Sequence, residues 1–144
     1  MSEDRPELPP QLALYRLAIG HYVSRALALA AKLGIADQLG GGPRGADDLA
    51  AATETDAGAL RRVMRLLVSV GVFDENEEGK FALTPLSDSL RRDRPQTARD
   101  MVLLFAGVGI QDSWKELEYC VRTGRARVPQ AGRNRCLRRD PGEP

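Results

Sequence analysis

A chain of 144 residues, 42% hydrophobic and 28% charged, is sized for one folded domain or for one domain and a tail. It can bury roughly 68–70% of its unfolded surface, so composition excludes general disorder. A net charge of +1 excludes bulk attraction to nucleic acid or membrane, yet the last twenty residues carry +4 and those before them −3.

Met1–Pro10 is acidic and proline-bearing, which fits a disordered leader and not a signal peptide. Gln11–Leu33 reads as helix, with Gly20 its one expected kink. Leu12, Tyr15, Ile19, Tyr22, Val23, Ala26 and Ala30 keep the i, i+3, i+4, i+7 spacing of one apolar face, while Leu14, Leu17, Leu29 and Leu33 lie off it. A helix apolar on more than one side needs more than one neighbour, and a second copy of the chain could supply it. Arg16, His21, Arg25 and Lys32 interrupt the run from Leu12 to Ile35, so it does not read as a membrane span.

Gly34 stops that helix, and Gly40 to Pro43 makes a turn. Ala46–Ala52 is expected as a short helix with Asp47 and Asp48 in its first turn. Asp56 is placed to N-cap a longer helix carrying a stripe of Leu60, Val63, Met64, Leu67 and Val70, with Gly71 as its stop. Val72–Phe73 and Lys80–Thr84 read as strands around a turn at Asp74–Gly79. Pro95 is expected to begin a helix reaching Ala106, with Ala98, Met101, Val102 and Phe105 on one side. Ser113 is expected to cap a last helix bearing Trp114, Leu117 and Val121. After Gly124, six arginines and three prolines follow with no periodicity, and disorder is expected.

The fold class is therefore mainly α: a winged helix-turn-helix over residues 33–90, a helical extension before it and one small β-hairpin. Helix, helix, hairpin invites a DNA-binding reading with Arg61, Arg62 and Arg65 as contacts. The expected wing carries Asp74, Glu75, Glu77 and Glu78, which phosphates would repel, so a solvated basic face is preferred and no nucleic-acid partner is expected. Cys120 and Cys136 form no Cys-x-x-Cys pair and His21 is the sole histidine, so no metal site is expected. Gly40–Gly42 follows a helix, with no strand–turn–helix around it, so it does not read as a phosphate or nucleotide loop.

Several strings, taken in order, resemble the N-terminal dimerisation domain of S-adenosylmethionine-dependent small-molecule O-methyltransferases, nearest to the bacterial polyketide-tailoring type. They are Leu33–Asp37, the Ala-x-x-Leu-Ala of Ala46–Ala50, and the Arg-x-x-Arg-Leu-Leu of Arg62–Leu67 running into Gly71–Phe73. The Gly-x-Phe-x-Leu-Thr of Gly79–Thr84 and the Trp-x-x-Leu of Trp114–Leu117 complete the set. The resemblance implies one dimerisation domain over 11–124 and a homodimer through the N-terminal helices; the unpaired cysteine pattern and the acidic start make a cytoplasmic, reduced protein the expectation. In the intact family the resemblance also implies methyl transfer from S-adenosylmethionine to a small aromatic or polyketide-like hydroxyl, held in line with the donor methyl.

Within that resemblance no residue of this chain is expected to be catalytic or to bind the donor. The family's base, usually a histidine, lies far downstream of His21, which is expected as a polar or dimer-interface residue. Met101, Phe105 and Trp114 are the candidates for lining the acceptor pocket, with ordinary core packing as their other reading. Residues 125–144 depart from the family abruptly, as a shifted reading frame in GC-rich DNA would, so a truncated and inactive product is expected. That expectation fails if neither other frame encodes a glycine-rich donor motif within about a hundred codons. Two other functions stay open: a winged-helix transcription regulator, and a stand-alone module that pairs with a full-length methyltransferase.

Overall fold

The computed structural model describes residues 9–126, in two compact units divided between Gly107 and Val108. The expected leader falls almost wholly outside the described residues, as does the arginine-rich tail beyond Ala126. In the first unit the chain runs α1 (Pro10–Ala18), α2 (Gly20–Leu33), α3 (Ile35–Gln38), α4 (Ala46–Thr53) and α5 (Ala57–Ser69). Then come β1 (Phe73–Glu75), β2 (Phe81–Leu83), α6 (Pro85–Asp88) and α7 (Arg99–Phe105).

The expected single N-terminal helix is two. Helical bonding breaks at Ile19, immediately before the glycine singled out as a kink. Gly34 ends α2 in the left-handed region (φ 68), where an L side chain is strained. An added Cβ there would also lie 3.1 Å from Asp37 Oδ2. Asp37 in turn accepts from the Arg92 backbone N–H at 2.8 Å, tying this corner to the loop after α6.

The core lies between α2, α3, α4, α5 and the hairpin. Ile35, Leu49, Met64, Leu67, Phe73 and Phe81 have essentially no solvent contact. Burial of each such side chain contributes roughly 1.5–3 kcal/mol, which makes α5 the central beam. Asp56 caps α5 as expected, accepting from Ala59 N–H at 2.7 Å. Leu60, Met64 and Leu67 of its stripe are buried, whereas Val70 lies past the helix end and is largely exposed.

The hairpin is antiparallel, pairing Phe73 with Leu83 and Glu75 with Phe81. It begins one residue later than expected and draws Asp74 and Glu75 out of the turn into β1. In this register Phe73, Glu75, Phe81 and Leu83 share one face of the ribbon, and both phenylalanines enter the core. Arg44 adds one bridging residue on the outer side of β2, exchanging two backbone bonds with Phe81 at 2.9 and 3.0 Å.

Thr84 fastens the hairpin to α6. Its Oγ1 donates to Val72 O at 2.7 Å, and its N–H donates to the buried Ser87 Oγ at 2.9 Å in a capping box that starts the helix. The helix expected from Pro95 starts only at Arg99. The intervening loop is held another way: Ala98 N–H donates to Ser89 O at 2.8 Å, and Arg94 pairs with Asp88 at 2.6 Å.

The second unit comprises α8 (Val108–Ser113), a 3-10 turn (Trp114–Glu116) and α9 (Leu117–Thr123). Ser113 is not the extended cap that was expected. It has helical dihedrals (φ −64, ψ −31), because helix precedes it as well as following it. Gly124 closes α9 in the left-handed region.

Candidate functional site

α1 and α2 present the largest uncovered apolar surface of the first unit. Every residue of α1 is exposed, Leu12, Leu14, Tyr15 and Leu17 among them. On α2 the buried positions are Ala26, Ala30 and Ala31, which face the rest of the chain, whereas Tyr22 and Leu29 face outward. Of the face expected from spacing, therefore, only the alanines are inside. Ile19 and Val23 are half-buried, and Leu12, Tyr15 and Tyr22 are exposed. Exposed apolar surface of this extent, rimmed by polar groups, marks an interaction site.

The rim is basic. Arg16, Arg25 and Lys32 are the charged residues between Pro10 and Gly34, with His21 beside them and no carboxylate. His21 Nδ1 lies 3.0 Å from Ala18 O, and its ring centroid is 4.1 Å from that of Tyr22. It thus sits at the junction of the two helices, beside the exposed apolar side chains.

A second apolar feature is an open groove of about 200 Å³ between α2 and α7, lined by Ser24, Leu27, Met101, Val102, Phe105 and Ala106. Arg99 holds α7 against α2, its Nε donating to Ala31 O at 3.1 Å near the α2 C-terminus. The structure therefore brings two of the three predicted lining residues together. Met101 is 58% exposed and Phe105 62%, which removes the core-packing reading for both. Trp114 belongs to the second unit and is 66% exposed, so it is not a core residue there either.

A larger cavity, about 360 Å³, is lined by Pro85, Asp88, Ser89, Arg94, Pro95 and Gln96. The Arg94 guanidinium, hydrogen-bonded to Asp88, holds that carboxyl below the usual aspartate range. The charges here satisfy each other, so the cavity offers a ligand no free ionic partner. Sequence reasoning did not find it, because it is built by the irregular loop that replaces the start of the expected helix.

On α5, Arg65 gives its guanidinium fork to the wing's own carboxylate: Nε to Glu75 Oε2 at 3.1 Å and Nη2 to Oε1 at 3.2 Å. One of the three arginines assigned to DNA in the alternative reading is thereby engaged within the chain. No group of three or more potential metal ligands occurs among the described residues. None of their helices is long and apolar enough to cross a membrane.

The described residues do not fit the nucleoside-bearing methyl donor that the resemblance implies. Their one sheet is a two-stranded antiparallel ribbon, and Gly40–Gly42 joins α3 to the Arg44 bridge, with no strand–turn–helix in which a donor could lie.

Residues 15–93 match the family model of the O-methyltransferase dimerisation domain. The chain is 37% identical over 117 residues to the phenazine O-methyltransferase PhzM of Lysobacter antibioticus, a match covering 81% of this chain and 34% of that protein. It is 36% identical over 121 residues to the 8-amino-8-demethylriboflavin N,N-dimethyltransferase of Streptomyces davaonensis, covering 84% and 35%. The solved structure of CalO1, a methyltransferase in calicheamicin biosynthesis in its SAH-bound form, superposes with a TM-score of 0.73. That match has 40% identity and covers 83% of this chain and 36% of that one. The chain thus spans about a third of the length of the curated relatives it matches.

Proposed function

This chain belongs to the O-methyltransferase dimerisation-domain family, and from that premise we propose that α1 and α2 pair it with a second copy of itself. The observation that carries this reading is the unburied set Leu12, Leu14, Tyr15, Leu17, Tyr22 and Leu29, standing on a domain whose own core is complete without it. A two-fold pair presents the same surface twice, so the apolar helices of each copy meet those of the other.

The wider activity in which this pairing takes part is methylation of a small aromatic or polyketide-like molecule by an S-adenosylmethionine-dependent enzyme. The relatives' names include both O- and N-methyltransferases, so the family supports an oxygen or a nitrogen acceptor. Donor binding and proton removal fall to residues other than 9–126, which by themselves would transfer no methyl group. Met101 and Phe105 are assigned to the apolar wall facing the acceptor, because they are exposed and share a groove. Trp114 keeps its candidacy on exposure alone.

Light scattering on the purified chain tests the pairing. The expected mass is twice the 15.7 kDa of one copy. A single-copy mass at every concentration would remove the proposal.

A further inference from the structure

We propose that α1 is folded only while a second copy of the chain covers it, so that ordering of Pro10–Ala18 and pairing are one event. The inference rests on the pairing reading above and adds to it a disorder-to-order step that the pair must complete.

Helices shorter than about 12–15 residues are marginal in water on their own, and α1 has nine. Its start is helped only by the fixed φ of Pro10 at the first helical position: Pro9 supplies no side-chain cap, and the first turn holds no acidic residue. Short helices in proteins persist because one face is buried by packing. In α1 no residue is buried, and all from Pro10 to Ala18 are exposed.

Continuity with α2 does not compensate. Regular helix stops at Ile19, and the side-chain contact across the junction is a local one, His21 Nδ1 to Ala18 O at 3.0 Å, which buries no residue of α1. Within one copy, then, the free energy that would hold α1 is missing.

A second copy supplies it. Leu12, Leu14, Tyr15, Leu17, Tyr22 and Leu29 offer six large exposed apolar side chains per copy. Without α1 only Tyr22 and Leu29 would remain, far short of the roughly 800 Å² per partner of a standard stable interface. Pairing therefore requires α1 as much as α1 requires pairing. A lipid surface fits less well, because α1 carries a single cation, Arg16, where interfacial helices carry a basic face.

The test is hydrogen exchange by mass spectrometry on the full 144-residue chain across a dilution series, with light scattering at each concentration. In the pair, the amides of Leu12–Ala18 should exchange at least about a hundredfold more slowly than in the single copy, while those of α5 stay equally protected in both. Trypsin cleavage after Arg16 should follow the same curve. The Leu14→Asp/Leu17→Asp variant, altered only at exposed positions, should be single-copy, with α5 protected and α1 unprotected. A pair whose α1 protection does not change on dilution overturns the ordering step and leaves the pairing intact. A single copy at all concentrations overturns both. Protection of α1 in a single copy, whether free or bound to anionic phosphatidylglycerol vesicles, also overturns the inference.

Discussion

α5 and α1 are both leucine-bearing helices, yet the fold treats them in opposite ways. On α5 the apolar residues Leu60, Met64 and Leu67 fall on one stripe, with exposed Arg62 and Arg65 off it, and the chain's own α2, α4 and hairpin close over that stripe. On α1, Leu12, Leu14, Tyr15 and Leu17 are spread around the axis, and among the described residues nothing buries any of them. Apolar content is similar. What differs is whether a single neighbour can satisfy it. A narrow stripe asks for one partner surface, whereas an apolar circumference asks for several, which the described residues do not supply.

The sharpest way to break this contrast is to make the same truncation in both places. Leu67→Ala should cost about 2–5 kcal/mol, because its cavity lies in a packed core. Leu17→Ala should cost under about 0.5 kcal/mol when unfolding is measured at concentrations low enough to keep copies apart. Urea denaturation at matched protein concentrations reads both, and equal losses would erase the distinction between the two helices.

A smaller effect sharpens the comparison at the helix starts. Asp56→Ala should remove about 1 kcal/mol by stripping the cap from Ala59 N–H, whereas α1 has no cap hydrogen bond to lose. An unchanged urea midpoint for that variant would show that α5 is held by packing alone.

The smallest effect lies at the solvent-exposed Asp88–Arg94 pair beside the larger cavity. Because Arg94 depresses the folded carboxyl, the pair's contribution is present at neutral pH and fades as pH falls below the ordinary aspartate value of 3.8. Stability curves of the chain and of Asp88→Asn should therefore differ slightly at neutral pH and converge in acid. Curves that stay parallel would assign the difference to something other than ionisation.

Much of the core domain could be read directly from the residues. The α5 stripe, the Asp56 cap, the Gly34 stop and the paired phenylalanines each carry a local signal: a period, a cap or a left-handed turn. The errors came where long-range bonds outweigh local preference. Pro95 is a good helix opener, but Ser89 O already engages Ala98 and Thr97, so the helix waits until Arg99. Ser113 reads as a cap only if what precedes it is not helix. The Arg44 bridge has no alternation to betray it, since one residue cannot show a period of two.

For the candidate site, spacing could place Met101 and Phe105 on one face, and the structure adds that they share a groove with Leu27. Their exposure could not be read, because core and interface positions have the same composition. The outward turn of Tyr22 and Leu29 was hidden for the same reason: alanines at Ala26, Ala30 and Ala31 let α2 lie close to its neighbours and take the inner face from larger residues.

The single bridging residue Arg44 has one more consequence. A two-stranded ribbon ordinarily offers the backbone of both outer strands to any passing extended chain, the usual start of intermolecular sheet growth. By bonding to Phe81, Arg44 closes one of those edges. The edge left open is the three residues of β1, two of which are Asp74 and Glu75. It is too short and too acidic to template a further strand. The sheet is thereby guarded against growing by addition of a further strand.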